Sequence, residues 1–524
     1  MKSPAGIDER PEQIRPPVLR AEGGTEAERF LAALAEKSFL NLWSYPTPYR
    51  DQKLGGRGDG KELCDLLVVC GRHVLIFSEK TISWPNGDLG TAWSRWAKRA
   101  LRDSAKQVAG AERWLAGYAD RIFLDKACTQ HFPIALPGIE EREVHHVLVA
   151  NGAIEACLAH RPNGEKSFKV SPGLKGHVHW SPSLAGFEPF AVGDINPEGA
   201  FVHVFNEAAL QFVMDELDTI TDFTDYLSRK AEFVRSGMLA TASSEEALVA
   251  RFATCMNSSN EHAFLEDHAQ TSIVLTEEPL KRLLTNPQYR AKKLADEVSY
   301  LWDRLIENFT NHMLAGTAIT LPGHTFELSQ NELAVRYMAL VPRTTRRAHS
   351  LAVQAAMRRG INTSRFFRAI ITPPSLPDHE TAFFLCTLKY DAEFFDGNGG
   401  YASYRQFRAG LAEAYAQGLL EKLAYLQRVV GIMVEPPQQG RGSSEDLIYA
   451  EQSEWSEEAR VEIKARCEAF GILQNYEETP FSVQEYPEVD EIIVDLDEFL
   501  APRPSMNRRQ RRAAVAKARR SGRA

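Results

Sequence analysis

The sequence lacks the features that mark several special classes of protein. No run of apolar residues approaches the roughly 18 that a transmembrane helix needs, so we expect no membrane span. The N-terminal residues are polar and contain no apolar segment, which predicts no secretory signal. Only 7 cysteines occur, and none forms a C-x-x-C pair, which argues against a disulfide framework and against a zinc ribbon. These absences together predict a cytoplasmic protein.

The composition is that of a globular chain with an uneven distribution of charge. The 524 residues are 44% hydrophobic and 25% charged, which excludes disorder over most of the length. The net charge of −9 includes a C-terminal segment, 507–524, that carries basic side chains and no acid. The preceding segment, 477–498, carries acids and no base. We therefore expect the basic tail to contact nucleic acid or an acidic surface.

Hydrophobic periodicity and turn-rich stretches divide the chain into five segments. We expect a disordered leader at 1–20 and an α/β domain at 21–210. A mainly helical region follows at 211–365, and a mixed α+β region at 366–475. The remainder, 476–524, has the composition of an acidic linker followed by the basic tail.

The informative part of the sequence is a pair of β-type runs, 63–70 and 74–80, on either side of Gly71 and Arg72. A helical pattern with Thr25 as its N-cap comes before them, and a long amphipathic helix over about 93–118 comes after them. Asp65 lies at the start of the first apolar run, and Ser78-Glu79-Lys80 ends the second.

This order resembles the PD-(D/E)XK, or restriction-endonuclease-like, nuclease superfamily. That pattern has a Glu on a first helix, an Asp at the start of one strand, an acid-x-Lys at the end of the next, and a Gln or basic residue on the following helix. The matching positions are Glu28, Asp65, Ser78-Glu79-Lys80 and Gln107. The resemblance covers about residues 24–150 and implies a restriction-endonuclease-like core in the N-terminal domain.

The resemblance implies a Mg²⁺- or Mn²⁺-dependent endonuclease that acts on nucleic acid, DNA above all, in DNA repair or in defence against foreign DNA. Carboxylates hold a hard divalent cation against the phosphate, and a lysine orients water and neutralises developing charge. Asp65 is then the chief metal ligand and Lys80 the activating residue. Glu28 and Glu79 are further candidate ligands, and Gln107 is expected to hold Lys80 or the phosphate.

Helical geometry favours Glu28 over Glu36 as the acid of the first helix. At about 100° per residue, Glu28 lies at the edge of the apolar stripe of this helix, whereas Glu36 lies on the opposite side. A carboxylate at the edge of the buried face can reach a site on the neighbouring sheet.

One position departs from the family pattern. Residues i and i+2 of a strand share a face, so the acid should stand two residues before Lys80, where the chain has Ser78. A two-residue turn at Gly71 places Asp65 opposite Ser78, with Lys80 on the same face and Glu79 turned away. A three-residue turn places Glu79 opposite Asp65 but turns Lys80 away, and only a bulge would unite all three groups. The alternatives are a rebuilt catalytic site and a catalytically degenerate fold that acts as a nucleic-acid- or protein-binding module.

Histidine pairs offer weaker signals for a metal. We expect short β-type runs near 154–158 and 177–180. His177 and His179 would share one face of the second run, but no cysteine or acid follows at ligand spacing. His145 and His146 are adjacent and would point to opposite faces of a strand. We interpret these residues as structural.

Overall fold

The computed structural model describes residues 15–53, 59–161, 166–268, 270–318, 327–374, 376, 378–436, 445–453 and 455–488. The basic tail, 507–524, and most of the expected leader lie outside the described residues. Within the described part of the chain, no helix has both the length and the apolarity needed to cross a bilayer. All 7 cysteines are free.

The N-terminal part of the chain is built around a five-stranded mixed sheet. Its elements are α1 (Glu26–Phe39), β1 (Ser44–Pro46), β2 (Tyr49–Arg50), β3 (Lys61–Glu62), β4 (Leu66–Cys70), β5 (His73–Thr81), α2 (Leu89–Ala97), α3 (Asp103–Gly117), β6 (Ile122–Phe123), β7 (Glu143–Asn151), α4 (Ile154–His160), β8 (Lys169–Lys175), β9 (Ala191–Asp194), β10 (Val202–Phe205) and α5 (Glu207–Glu216). The strand order is β1-β4-β5-β7-β10. The β5, β7 and β10 strands run parallel, and β4 is antiparallel to both β1 and β5.

The hairpin of β4 and β5 has the two-residue turn that one of the two predicted registers requires. Cys70 pairs with His73, and the register continues to Leu66 opposite Phe77. Gly71 adopts a φ of 58°, in the left-handed region where a glycine is favoured at the first central position of such turns. The register prediction with the even turn is therefore confirmed.

Helices cover both faces of this sheet. On one face, Gln107 of α3 contacts Ser78 of β5. On the other face, the ring of Phe39 in α1 packs against Phe77. The predicted long helix is confirmed as α2 and α3, joined by a π-helical segment at Lys98–Arg102. Thr25 is the N-cap of α1, as expected, because its hydroxyl accepts a hydrogen bond from the Glu28 N–H.

The middle of the chain is mainly helical, with α6 (Ile220–Arg235), β11 (Leu239–Ala242), α7 (Glu245–Thr254), β12 (Ile273–Leu275), α8 (Glu278–Thr285), α9 (Pro287–Asp296), α10 (Tyr300–Leu314), α11 (Leu328–Ala339) and α12 (Arg343–Gly360). The β11 and β12 strands extend the pair β8 and β9 into a four-stranded sheet of order β12-β11-β8-β9. The helical region therefore also contributes two strands, which the sequence did not predict.

The last third is an α+β unit of β13 (Arg365–Ile370), β14 (Thr381–Leu388), α13 (Ala392–Phe395), α14 (Gly400–Lys422), β15 (Arg428–Val434), β16 (Asp446–Glu451) and α15 (Glu457–Ala469). Its four strands form one sheet in the order β13-β14-β15-β16. One face of this sheet packs on α14 through alternate residues such as Phe384 and Met433.

A single hydrophobic core extends over the N-terminal sheet, the helical region and the inner face of the C-terminal sheet. It includes Val68 of β4, Trp302 of α10, Val335 of α11 and Ile432 of β15. The observed fold is mixed α/β, in agreement with the general class predicted. The expected boundaries at 210 and 365 fall within this shared core and remain predictions.

Candidate active site

Asp65 lies at the open end of the β4–β5 hairpin, where the regular ladder stops. Its N–H donates to the Phe77 carbonyl at 3.1 Å, and its own carbonyl accepts from the Thr47 N–H at 2.9 Å. The carboxylate is only 4% exposed, and its Oδ2 accepts a hydrogen bond of 2.5 Å from the Glu79 N–H. The backbone of β5 thus fixes this carboxylate next to the end of the strand.

Lys80 reaches the same carboxylate from the edge of the sheet. Its Nζ lies 3.8 Å from Asp65 Oδ2, and the lysine side chain is partly exposed. Asp65 and Lys80 therefore come together, as the even register requires. Ser78 is fully buried, and its hydroxyl donates to Gln107 Oε1 at 3.3 Å. Gln107 was expected to hold Lys80 or the phosphate, but its amide oxygen accepts from Ser78, two residues before Lys80.

Glu79 belongs to the opposite face of β5. Its carboxylate accepts hydrogen bonds from the Thr81 hydroxyl at 2.7 Å and from the Asn151 amide at 3.1 Å. Burial raises the pKa of Glu79, while these two hydrogen bonds lower it. The Glu79 carboxylate is thus hydrogen-bonded to Thr81 and Asn151. Glu79 contacts Asp65 through its backbone N–H and not through its carboxylate.

A second carboxyl group beside Asp65 comes from Glu62 of β3, to which the sequence assigned no role. The Glu62 residue is exposed over much of its surface, but its carboxyl lies beside that of Asp65, where neighbouring protein atoms partly desolvate it and a hydrogen bond joins the two carboxyl groups. Desolvation, this hydrogen bond and the charges of Asp65 and Glu28 raise the pKa of Glu62 to about 7, while Lys80 opposes the shift. The signal in the sequence was an acid three residues before Asp65. The structure adds that this acid is the last residue of the short strand β3.

Glu28 lies near this group but has a local structural role. Its Oε2 accepts a hydrogen bond of 2.7 Å from the Gly24 N–H, while its own N–H is capped by Thr25. This reciprocal arrangement is a variant of the capping box that begins many helices. The charge of Glu28 contributes to the raised pKa values of both Glu62 and Tyr49, although burial is the largest cause of each shift.

The arrangement is suited to a hard divalent cation. Two neighbouring carboxyl groups repel each other when both are ionised, and a bound cation relieves this repulsion. The Glu79 N–H and the Lys80 ammonium both approach Asp65 Oδ2, which leaves Oδ1 as the oxygen that neither of these two groups contacts. The residues that fit a Mg²⁺ or Mn²⁺ ion are therefore Asp65 and Glu62, with Lys80 next to them.

A basic groove lies between α3, the helix that carries Gln107, and the segments that contain Trp180 and Asn196. Its volume is about 290 Å³, and its lining includes Arg102, Lys106, Arg113, Trp180 and Asn196. Lys106 and Arg113 are exposed and form no ion pair within the described part of the chain. Cations beside an aromatic ring are the groups that bind a nucleic-acid backbone and a stacked base.

The expected strand at 177–180 is wrong, because this segment forms a 3₁₀ helix at Gly176–Trp180. His179 is fully buried, and its Nδ1 lies 2.7 Å from the Gly176 carbonyl. Its Nε2 accepts a hydrogen bond of 2.9 Å from the Gly193 N–H. Both ring nitrogens are satisfied by the backbone, so His179 has a structural role. The expected β-type run near 154–158 is also wrong, since it is helix α4.

Comparisons of the chain with models of known families, with curated proteins and with solved structures find no match.

Proposed function

We propose that the chain is a metal-dependent nuclease of the PD-(D/E)XK kind, with its active site at the end of the β4–β5 hairpin. The observation that carries the proposal is the meeting of the Asp65 carboxylate, the Lys80 ammonium and the Glu62 carboxyl in one cluster. In this proposal Glu62 supplies the second acid that position 78 lacks. The restriction-endonuclease-like core, the DNA substrate and a role in repair or defence belong to the same proposal.

The residues of the cluster have separate tasks in phosphodiester cleavage. Asp65 and Glu62 would bind Mg²⁺ or Mn²⁺, which when bound lowers the pKa of water and polarises the phosphate. Lys80 is placed to orient the attacking water and to neutralise charge on the phosphate oxygens. Burial of Asp65 and its hydrogen bond from Glu79 hold the carboxylate in a fixed direction.

The direct test is cleavage of supercoiled plasmid, linear DNA and RNA by the full chain with Mg²⁺, with Mn²⁺ and with a chelator. We expect cleavage of DNA that requires one of the two ions. No cleavage of any substrate under any of these conditions would reject the catalytic proposal.

Glu62→Gln should remove the pH dependence of metal binding at this site. The raised pKa of Glu62, about 7, means that a proton competes with the metal below neutral pH. In the parent protein we expect Mg²⁺ affinity to rise between about pH 6 and pH 8 and to level off above that range. The variant should bind Mg²⁺ more weakly and with a flat profile in calorimetric titrations. A parallel pH dependence in both proteins would place the titrating group elsewhere.

A second candidate function is a nuclease-like module that binds nucleic acid without cleaving it. Two observations favour it, the basic groove of α3 and the commitment of Ser78 to Gln107 in the position where the family pattern has an acid. Under this proposal the groove binds phosphates, while the Asp65 cluster is a remnant of an ancestral site. Absence of cleavage together with DNA binding would favour this candidate.

The double substitution Lys106→Gln and Arg113→Gln should weaken DNA binding under either candidate. Each lost phosphate contact lowers the slope of log affinity against log salt by about 0.9, so the slope should fall by roughly 2. Fluorescence anisotropy at several salt concentrations measures this slope. Lys281→Gln with Arg290→Gln, the same change of charge at exposed positions on α8 and α9, is the matched control. Equal slopes for the groove and control variants would exclude the groove as the binding surface.

A further inference from the structure

A second cluster of ionisable side chains lies at the other end of β5, on the opposite face from Lys80. It consists of His73 at the start of β5 and of Glu143 and His145 in β7. Parallel pairing sets His73 opposite Glu143 and Leu75 opposite His145, so all three side chains project from one face. His73 and Lys80 are seven residues apart along the strand, which corresponds to roughly 23 Å.

The ligand atoms of the three side chains already converge. One nitrogen from each imidazole and one carboxylate oxygen lie within 4.8 Å of one another. His73 Nδ1 is 3.2 Å from Glu143 Oε2, and the two imidazole rings are stacked with centroids 6.0 Å apart. A tetrahedral ion with bonds of about 2.0–2.1 Å holds its ligand atoms roughly 3.3 Å apart, so small side-chain rotations complete the site.

His145 supplies an independent observation, a buried ring nitrogen without a hydrogen-bond partner among the described residues. The residue is 6% exposed, and the nitrogen is Nε2. A buried polar atom without a partner costs about 1–3 kcal/mol, so such atoms call for an explanation. His203 of β10 lies beside it on the same face, with ring centroids 6.5 Å apart, and its Nδ1 is equally unpartnered within the described residues.

We propose that His73, Glu143 and His145 bind a divalent transition-metal ion of the zinc class. Two imidazoles and one carboxylate form a donor set that suits Zn²⁺ and does not suit Mg²⁺, which takes oxygen ligands. The ion has a path from solvent, because the His73 and Glu143 side chains are partly exposed. It would join the first residues of two parallel strands, and so stabilise the sheet that carries the candidate active site.

Arg72 in the hairpin turn competes with the ion for one ligand. Its guanidinium forms an ion pair with Glu143 Oε1, while the other oxygen, Oε2, faces His73. Arg72 is largely exposed and can move into solvent when a cation binds. Arg72→Ala should therefore strengthen Zn²⁺ binding, whereas removal of a ligand should weaken it.

The experiment is a calorimetric titration of the metal-free full chain with Zn²⁺, with Mg²⁺ present in excess to occupy any oxygen-ligand site. We expect the parent protein to bind one equivalent and to melt at a higher temperature with Zn²⁺. His73→Gln and Glu143→Gln, chosen because both side chains are partly exposed, should each lower the affinity at least about tenfold. His146→Gln is the matched control, since His146 is adjacent to His145 but pairs with Glu112 on the other face.

Two results would overturn the proposal. One is a parent protein that takes up no stoichiometric Zn²⁺, and the other is a pair of ligand variants that bind as tightly as the His146 control. Asp65→Asn should leave Zn²⁺ binding unchanged, because that residue belongs to the other end of the hairpin. The result is therefore independent of whether the chain cleaves nucleic acid.

Discussion

Replacing Asp65 with asparagine should reduce metal-dependent cleavage of DNA by on the order of 100-fold or more. The substitution removes the negative charge that binds the cation but keeps the shape of the side chain. Asparagine Oδ1 can still accept the hydrogen bond that the Glu79 N–H donates at 2.5 Å. We therefore expect the thermal melting temperature to change little. Initial rates of plasmid nicking and a melting curve, measured on the same preparation, check both parts.

The matched control for this prediction is Asp225→Asn. Asp225 forms an ion pair with Arg229 within one helix, away from the hairpin, so its loss should leave cleavage unchanged. If Asp65→Asn cleaved DNA at the parental rate, the hairpin cluster would not be the active site. If both variants lost activity together with their fold, the result would concern stability, and the melting curves distinguish that case.

The hairpin was predictable from local chemistry, although its register was left open between a two-residue and a three-residue turn. Gly71 permits the two-residue turn, and that turn alone determines that Asp65 and Lys80 share a face while Glu79 does not. The helix on each side was equally predictable, since capping by Thr25 and an apolar stripe are local signals. In these elements a neighbour in sequence is also a neighbour in space.

Glu62 and the histidine cluster depend on contacts that the local sequence does not encode. Glu62 lies in the short β3 strand, which pairs with Tyr49 and Arg50 of β2 within a separate three-stranded sheet. His73 meets Glu143 only because β5 pairs in parallel with β7, in a register that a crossover of this length leaves open. Local sequence patterns therefore do not predict that these side chains lie close together.

The domain boundary expected near residue 210 was also inferred from a local signal. A change from mixed to helical patterning is a local signal, whereas a shared core is a property of the tertiary structure. Trp43 shows the difference, because its Nε1–H donates at 2.6 Å to the buried Glu332 of α11, far along the chain. Helices from the middle region thus pack directly on the sheet that carries the candidate active site.

Arg346→Met tests whether the helical region and the N-terminal sheet unfold together. The substitution should lower the free energy of unfolding by about 3–5 kcal/mol. Arg346 is 1% exposed and donates to Asp303 Oδ1 at 2.5 Å and to the Val341 carbonyl at 2.8 Å. Methionine fills much of the space but leaves these buried acceptors with fewer donors. Urea unfolding measures the loss, and Arg282→Met is the control, since its ion pair with Glu278 is exposed and worth at most about 0.5 kcal/mol.

The segments in which Arg346→Met accelerates hydrogen exchange decide whether the N-terminal part and the helical region unfold as one cooperative unit. Because Val68, Trp302 and Val335 belong to one core, loosening α10 and α12 should also expose the N-terminal sheet. We expect hydrogen exchange to accelerate in β5 and β7 of Arg346→Met as well as in the helices around the substitution. Unchanged protection of β5 and β7, with faster exchange confined to α10–α12, would instead support a domain boundary near residue 210.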